Sequence, residues 1–128
     1  MESSIALFGE SEKGMFQKPY LLESLSELID TIGQGPGESR GLDCAVQALL
    51  LDKSILFFRV REEGYSKNDY IQGLKELARK EKIGTIDAIC LPGVGDREIL
   101  DQTEPLCYLH KSIVITTEKD FYDYLTNN

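Results

Sequence analysis

Apolar residues in this chain occur in short strand-like runs and in longer segments with the spacing of a helix face. Mainly apolar runs at residues 4–8, 55–60, 85–91 and 113–117 predict four buried strands. Polar residues, glycine or proline follow each run, as expected where a strand leaves a sheet. The pattern therefore predicts strands that are separated by other elements.

The segments between these runs carry apolar residues at intervals of three and four, which is typical of a helix face. The first such segment spans residues 21–32 and ends before Gly33, a residue type common just after a helix. Further helices are predicted at residues 42–50, 70–78, 97–102 and 121–125. Pro105 is expected to interrupt the fourth helix, and Thr117 and Asp120 are expected to cap the last one.

The alternation of strands and helices predicts parallel strands joined by right-handed crossovers. We therefore expect an α/β fold, namely a small, doubly wound, Rossmann-like sheet. It should be mainly parallel, with about four strands and helices on both faces. With no repeats and no linker, residues 1–128 are expected to form one such domain.

The composition limits the partners of this domain. A net charge of −8 argues against a nucleic-acid or anionic-membrane surface, but a small anionic ligand such as a nucleotide is compatible with it. No apolar run reaches the length of a membrane span, and the amino terminus does not have the pattern of a signal peptide. Three widely spaced cysteines and one histidine favour reduced, buried thiols in a cytoplasmic protein over a zinc site. No metal and no cofactor are predicted.

The most informative local feature lies between residues 87 and 98. A strand leads into Pro92-Gly93-Val94-Gly95-Asp96, and a helix-compatible segment follows. Such a loop exposes backbone N–H groups beside a helix N-terminus, which suits a phosphate or another anion. Pro-Gly and Gly-Asp are also ordinary turn dipeptides, so a plain turn is the alternative interpretation.

Ligands of open parallel sheets bind beyond the carboxyl ends of the strands. The residues predicted there to bind a ligand or phosphate are Gly9, Glu10, Ser11, Arg40, Gly93, Gly95, Asp96 and Thr117. A guanidinium beside glycines at a helix start, such as that of Arg40, can hold a phosphate through two hydrogen bonds.

Several of these residues have a simpler interpretation. Arg40 could form an exposed salt bridge, and Thr117 could serve only as a helix cap. Glu62 and Glu63 are interpreted as a solvated loop. His110, with no carboxylate or nucleophile beside it in sequence, is interpreted as a helix-end cation or a partly buried residue.

Four segments carry a resemblance to a known family. They are residues 5–11 with Gly14, Pro19 and Tyr20; Gly35, Gly37, Gly41, Leu42, Ala45 and Val46; residues 87–93; and residues 110–115 with Phe121, Tyr122, Asp123 and Leu125. In these segments the chain resembles the lysine-decarboxylase-like phosphoribohydrolases, best known as cytokinin-activating enzymes, and related Rossmann-like nucleotide-binding domains. Family members bind a nucleoside monophosphate and cleave the bond between the base and the ribose phosphate. Relatives of this fold often dimerise, so the resemblance also implies a homodimer.

The resemblance implies catalytic residues as well. The family motif Pro-Gly-Gly-x-Gly-Thr-x-x-Glu holds the phosphate with its glycines, and its glutamate acts with an arginine of the preceding helix. Here the motif lacks its second glycine, Asp96 replaces the threonine, and the glutamate position falls on Ile99. Glu98 and Arg79 are the residues that could take the two catalytic roles.

These departures favour a degenerate, non-catalytic relative that binds a nucleotide or ribose phosphate as a ligand sensor or interaction module. The alternative is a hydrolase of the N-glycosidic bond of a nucleoside monophosphate. A second alternative is a receiver-like phosphoacceptor with Glu10, Asp96, Thr116 and Lys119 around Mg²⁺. Whether the protein is an enzyme is left open by the sequence.

Overall fold

A computed structural model describes residues 3–34, 39–79 and 84–126 of the chain. Its strands are β1 (Ser3–Gly9), β2 (Pro19–Leu22), β3 (Ser54–Arg59), β4 (Thr85–Cys90) and β5 (Ile113–Ile115). Its helices are α1 (Leu25–Ile32), α2 (Arg40–Leu50), α3 (Lys67–Leu77), α4 (Arg97–His110) and α5 (Glu118–Thr126). Gly35 and Gly37, which carry part of the family resemblance, lie outside the described residues.

The strands form one mostly parallel sheet in the order β2-β3-β1-β4-β5. β3 and β4 flank β1 and pair with it in parallel, and β5 pairs in parallel with β4. The predicted α/β class and the mainly parallel sheet are therefore confirmed. The described residues form five strands rather than about four, because β2 is added in antiparallel orientation beside β3.

The edge strand β2 corrects the prediction of a helix over residues 21–32. Leu22 belongs to β2, and α1 begins only at Leu25. Ile29, which was expected on the apolar face of the helix, is exposed. Leucines are compatible with both element types, and the pairing of β2 with β3 depends on residues more than 30 positions away.

Helices cover both faces of the sheet. On one face, apolar residues of α1, α2 and α5 pack against alternate residues of β1, β3 and β4. On the other face, apolar residues of α3 and α4 pack against the intervening residues of the same strands. Because the strands are covered on both sides, their residues are apolar in continuous runs, and this is why the runs could be recognised in the sequence.

Helix α4 does not stop at Pro105, in contrast to the prediction. Pro105 has no N–H group to donate to the carbonyl of Asp101, four residues earlier in the helix. Both residues are exposed, so water can bind that carbonyl and the helix continues to His110.

In the described part of the chain, no helix is long and apolar enough to span a membrane.

Candidate functional site

The loops after β1, β3 and β4 meet at the carboxyl edge of the sheet. Gly64, four residues after Val60 in the β3 loop, lies directly against Gly93 in the β4 loop. A Cβ atom at Gly64 would lie 2.7 Å from the carbonyl oxygen of Gly93, and Gly64 has a φ of +87°. Both facts restrict this position to glycine, and the contact joins the two loops above β1.

The carboxylate of Glu63 lies at the centre of this edge and is almost completely buried, with 8% of the residue exposed. Its Oε2 accepts hydrogen bonds from the backbone N–H of Glu10 at 2.9 Å and of Gly41 at 3.0 Å. Its Oε1 accepts one from the N–H of Arg40 at 2.9 Å. Three N–H groups therefore converge on one carboxylate.

The hydroxyl of Ser39 lies in the same cluster. Its oxygen is 2.8 Å from Oε2 of Glu63 and 2.8 Å from the carbonyl oxygen of Glu10, so its single proton is shared between two acceptors. The same oxygen accepts the N–H of Leu42, which makes Ser39 the N-cap of α2. In return, the Glu10 carboxylate accepts the N–H of Glu63 at 2.9 Å, so the β1 and β3 loops are bonded in both directions.

The position of Glu63 has an electrostatic reason. The first N–H groups of a helix have no partner within the helix, and the N-terminus carries a partial positive charge. At α2 these donors are satisfied by an anion that belongs to the protein itself. The N–H groups of Arg40 and Gly41, which an external phosphate would need here, are already bonded to Glu63.

The loop from Pro92 to Asp96 uses its backbone donors in a similar way. The N–H of Gly93 donates to the carbonyl of Thr116 at 3.0 Å, and that of Val94 donates to Leu91 at 3.1 Å. The Asp96 carboxylate accepts the first N–H groups of α4, from residues 98 and 99. These bonds, chiefly that from residue 99, lower the pKa of Asp96. The loop has the geometry of a closed turn followed by a capped helix.

A cleft of about 360 Å³ lies beside this turn, lined by Gly64, Tyr65, Gly93, Gly95 and Asp96. The Tyr65 side chain projects into solvent, with 75% of the residue exposed. The guanidinium of Arg40 lies over Gly93, since a Cβ atom there would be 3.0 Å from Nη1 of Arg40. A tyrosine and three glycines therefore line one small cleft, and a guanidinium lies against one of these glycines.

Lys67 borders the cleft at the start of α3. Its Nζ is 3.4 Å from Asp96 Oδ2 and 3.4 Å from Glu98 Oε1. The pKa of Lys67 is raised, first by the hydrogen bond to Glu98 and then by the charge of Asp96. The Lys67 ammonium is thus shared between two carboxylates on the surface.

The structure brings some of the predicted site residues together. Gly9, Glu10 and Arg40 meet at Glu63, and Gly93, Gly95 and Asp96 surround the cleft, as the sheet topology led us to expect.

Ser11 and Thr117 have local roles instead. The Ser11 hydroxyl donates to the carbonyl of Lys13, and the Thr117 hydroxyl accepts the N–H of Asp120 at the start of α5. Both side chains therefore bond within their own segments, and Thr117 has the geometry of a helix cap.

The two candidate catalytic residues are not brought together. Glu98 lies near the first residue of α3, where it pairs with Lys67, and its side chain is 61% exposed. Arg79 follows the last turn of α3 and pairs with Glu76 at 3.5 Å. Because α3 has 11 residues, the two sites are separated by roughly 16 Å along its axis.

His110 is the last residue of α4 and lies away from the carboxyl edge of the sheet. It is buried, and its Nε2 lies 2.7 Å from the carbonyl oxygen of Leu77. Its Nδ1 has no hydrogen-bond partner among the described residues. The described residues contain no group of three or more His, Cys, Asp or Glu side chains that could hold a metal ion.

The sequence interpretation assigned no role to two arginines at the end of β3, namely Arg59 in the strand and Arg61 two residues later. Arg59 donates hydrogen bonds to the carbonyl oxygens of residues 11, 12 and 14, and so holds the loop after β1. The Phe16 ring is within 4.4 Å of the Arg59 guanidinium and 4.1 Å of that of Arg61. Arg61 in turn pairs with the buried Asp69. The sequence did contain a signal for this role, because Arg59 is a charged residue inside an apolar run. A buried strand admits a cation only where hydrogen-bond acceptors are available.

Two of the three cysteines lie together in the core. Cys44 of α2 and Cys90 of β4 are both buried and belong to the same core cluster. The neighbouring Cys44 thiol and the burial raise the pKa of Cys90. Cys107 is half-buried, and burial raises its pKa as well.

We expect the protein to lose stability as the pH rises above about 9. Burial raises the pKa of Tyr70. The neighbouring Cys44 thiol and burial raise the pKa of Cys90. Each group keeps its proton in the folded state at a pH at which the unfolded chain releases it. The folded state then binds more protons, so the free energy of unfolding falls as the pH increases.

Denaturant unfolding at a series of alkaline pH values would measure this fall. Tyr70→Phe should make it shallower, although the variant is less stable at every pH because the N–H of Gly64 loses the Tyr70 hydroxyl as its acceptor. Tyr122→Phe, at an exposed tyrosine, is the matched control and should leave the fall unchanged. A free energy of unfolding that is constant up to pH 11 or so would contradict the expectation.

Comparison of the chain with protein-family models, with curated proteins and with solved structures gave no match.

Proposed function

We propose that the protein is a doubly wound, Rossmann-like domain that binds a nucleotide or ribose phosphate without turning it over, as a ligand sensor or interaction module. The doubly wound assignment is supported by the position of β1 between β3 and β4 and by helices on both faces. The observation that carries the functional proposal is the cleft lined by Tyr65 and Gly93, together with the Arg40 guanidinium that lies against Gly93.

The chemistry of the cleft fits this ligand class. The exposed ring of Tyr65 offers a surface on which a base or a sugar can stack. The Arg40 guanidinium offers charge-assisted hydrogen bonds to a phosphate. The volume of about 360 Å³ falls within the range of small-molecule sites. Gly95 is exposed, and without a side chain it leaves its backbone accessible to a ligand.

The proposal assigns the phosphate to the Arg40 side chain rather than to the backbone of α2. The α2 donors are bonded to Glu63, and a second anion there would meet a buried carboxylate. Like charges at such a distance repel strongly where water is excluded. A ligand can therefore bind at the cleft without displacing Glu63.

Binding without hydrolysis is supported by the positions of the candidate catalytic residues. The Glu98 carboxylate is exposed and paired with Lys67, and Arg79 lies at the far end of α3. For the receiver-like alternative, Glu10 would have to give up the N–H of Glu63, and Asp96 would have to give up its capping bonds. Both alternatives require rearrangement, whereas binding at the cleft does not.

A cytoplasmic location belongs to the same proposal. The described cysteines are free, and Cys44 and Cys90 are buried beside each other without a disulfide. Free thiols persist in reducing compartments such as the cytoplasm. Fractionation of cells that express the tagged protein would test the location.

We expect Arg40→Ala and Tyr65→Ala each to weaken nucleotide binding by about tenfold, a loss of roughly 1.4 kcal/mol. The measurement is titration calorimetry with a panel of nucleoside monophosphates and ribose 5-phosphate. Arg79→Ala and Tyr122→Ala are matched controls, since both remove an exposed side chain of the same type away from the cleft. Neither control should change the affinity.

Chromatography of the same mixtures separates binding from hydrolysis. Our proposal expects bound ligand and no free base. Release of free base that is lost in Glu98→Ala would replace it with the hydrolase alternative. If no member of the panel binds, or if the control variants weaken binding as much as Arg40→Ala does, the cleft is not a nucleotide site.

A further inference from the structure

Strand β5 is an open edge of the sheet. Among the described residues β4 is its only neighbour in the sheet, and its register places Ile113, Val114 and Ile115 beside residues 88–90. The Ile115 carbonyl accepts the N–H of Leu91 at 2.8 Å, so the backbone groups of Ile115 face β4. Backbone direction alternates along a strand, so the N–H and C=O of Val114 face away from the sheet.

All three side chains of β5 are apolar, and one of them is strongly exposed. Ile113 is 51% exposed, which is unusual for an isoleucine in a strand. Tyr108, on the last turn of α4, is the most exposed of the large hydrophobic residues in the described part of the chain. β5 therefore has neither the charged residues nor the proline with which open strand edges are usually protected.

The distribution of charge also singles out this segment. The chain has 22 acidic residues, and its longest stretch without any of them is residues 105–117, which contains all of β5 and the end of α4. The stretch carries His110 and Lys111, and Glu118 follows it directly. Two copies of a chain with a net charge of −8 repel each other, and this segment is where the acidic charge is lowest.

We infer that two copies of this chain pair antiparallel along β5, with the twofold axis at Val114, to form a continuous sheet of ten strands. In this register the N–H of Val114 in each copy donates to the carbonyl of Val114 in the other. Ile113 lies beside Ile115 of the second copy, which covers its exposed surface with an apolar partner. The edge groups that β5 leaves without a strand partner are then satisfied.

The same register gives complementary charges. Antiparallel pairing places the start of one β5 beside the end of the other, so Lys111, two residues before the strand, lies at the same end as Glu118 of the second copy, three residues after the strand. By symmetry the pair occurs twice. Both residues are exposed in the single chain, so this register places a cation beside an anion at each end of the strand pair.

The second copy is favoured over an unrelated extended peptide by this self-complementarity. A strand pair of this length buries a small area, so we expect a dissociation constant in the micromolar range rather than an obligate dimer. The inference does not depend on the cleft, because β5 pairing involves none of the residues that line it.

Sedimentation velocity of the whole chain over a concentration series tests the pairing. Wild type should pass from monomer to dimer, and Ile113→Asp should weaken the dimer at least about tenfold, because it places two carboxylates beside the twofold axis. Leu21→Asp is the control: Leu21 has a similar exposure, 53%, but lies on β2 at the opposite edge. It should leave the dissociation constant unchanged, and circular dichroism checks that both variants fold.

A charge exchange tests the register. Lys111→Glu and Glu118→Lys should each weaken the dimer, by about fivefold if each of the two symmetric pairs contributes roughly 0.5 kcal/mol. The double variant has the net charge of wild type and places opposite charges side by side again, so it should restore the wild-type constant. The inference would be overturned if the wild type remained monomeric at all concentrations. It would also be overturned if the dimer were lost in Leu21→Asp but not in Ile113→Asp, or if the double variant did not restore the wild-type constant. A monomer that instead binds extended peptides through β5 would overturn it as well.

Discussion

Replacing Glu63 with alanine is expected to lower the free energy of unfolding by about 4 kcal/mol, a large part of the stability of a domain of this size. The carboxylate accepts hydrogen bonds from the N–H groups of Glu10, Arg40 and Gly41 and lies within hydrogen-bond distance of the Ser39 hydroxyl. Alanine leaves these donors without an acceptor in a buried position. An unsatisfied buried donor costs more than the hydrogen bond itself contributes.

Glu62→Ala is the matched control, because the neighbouring carboxylate is exposed. Its free energy of unfolding should stay within about 0.5 kcal/mol of wild type. Glu63→Gln should lie between the two, since the amide keeps one acceptor oxygen but directs an NH₂ group at the donors. Denaturant unfolding gives all three values.

Added formate should restore part of the stability of Glu63→Ala, because a small carboxylate can occupy the vacated position and bind the same N–H groups. Formate should have no such effect on wild type, where Glu63 fills that position. Equal losses in Glu62→Ala and Glu63→Ala would show that the buried carboxylate does not join the β3 loop to the β1 loop and to the start of α2.

The hydrophobic pattern was sufficient to predict the α/β class because the parallel strands are covered on both faces. Leu7 and Phe8 of β1 lie on opposite faces of the sheet and are both buried, as are Phe57 and Phe58 of β3, so these segments are apolar on both faces. Helices α2 and α5 also followed from their spacing. These are local properties, and the sequence displays them directly.

The edge strand β2 could not be predicted in the same way. Its leucines have the spacing of a helix when they are read together with those of α1, and the strand exists through its pairing with β3. That partner lies more than 30 residues further along the chain. Propensity gives no information on such a contact, and tertiary pairing decides the element.

The candidate site was predicted in part. The rule that ligands bind at the carboxyl edge of a parallel sheet correctly grouped Glu10, Arg40, Gly93 and Asp96. It could not distinguish Glu62 from Glu63, since two adjacent glutamates in a loop look alike in sequence. One is exposed, and the other is the acceptor at the N-terminus of α2. The difference arises only when α2 and the β3 loop are brought together.

Replacing Gly41 with alanine is expected to cost about 3 kcal/mol, at the upper end of the range for an overpacked core. The added methyl group would lie 2.5 Å from the Cα of Gly9 and 3.0 Å from the carbonyl oxygen of Phe8. Both atoms belong to the backbone of β1, which is held by β3 and β4 on its two sides. Neither can move without disturbing the centre of the sheet.

The sign of the stability change in Gly41→Ala distinguishes a steric clash from helix propensity. Gly41 is a helical residue, and alanine has the higher helix propensity by roughly 1 kcal/mol, so the substitution would stabilise the protein if the clash were absent. Gly95→Ala is the control, because a Cβ atom there meets no other atom within 4 Å. We expect that variant to be neutral or slightly stabilised. A Gly41→Ala protein as stable as wild type in denaturant unfolding would mean that α2 can move away from β1, and the geometry that holds Glu63 would then not be rigid.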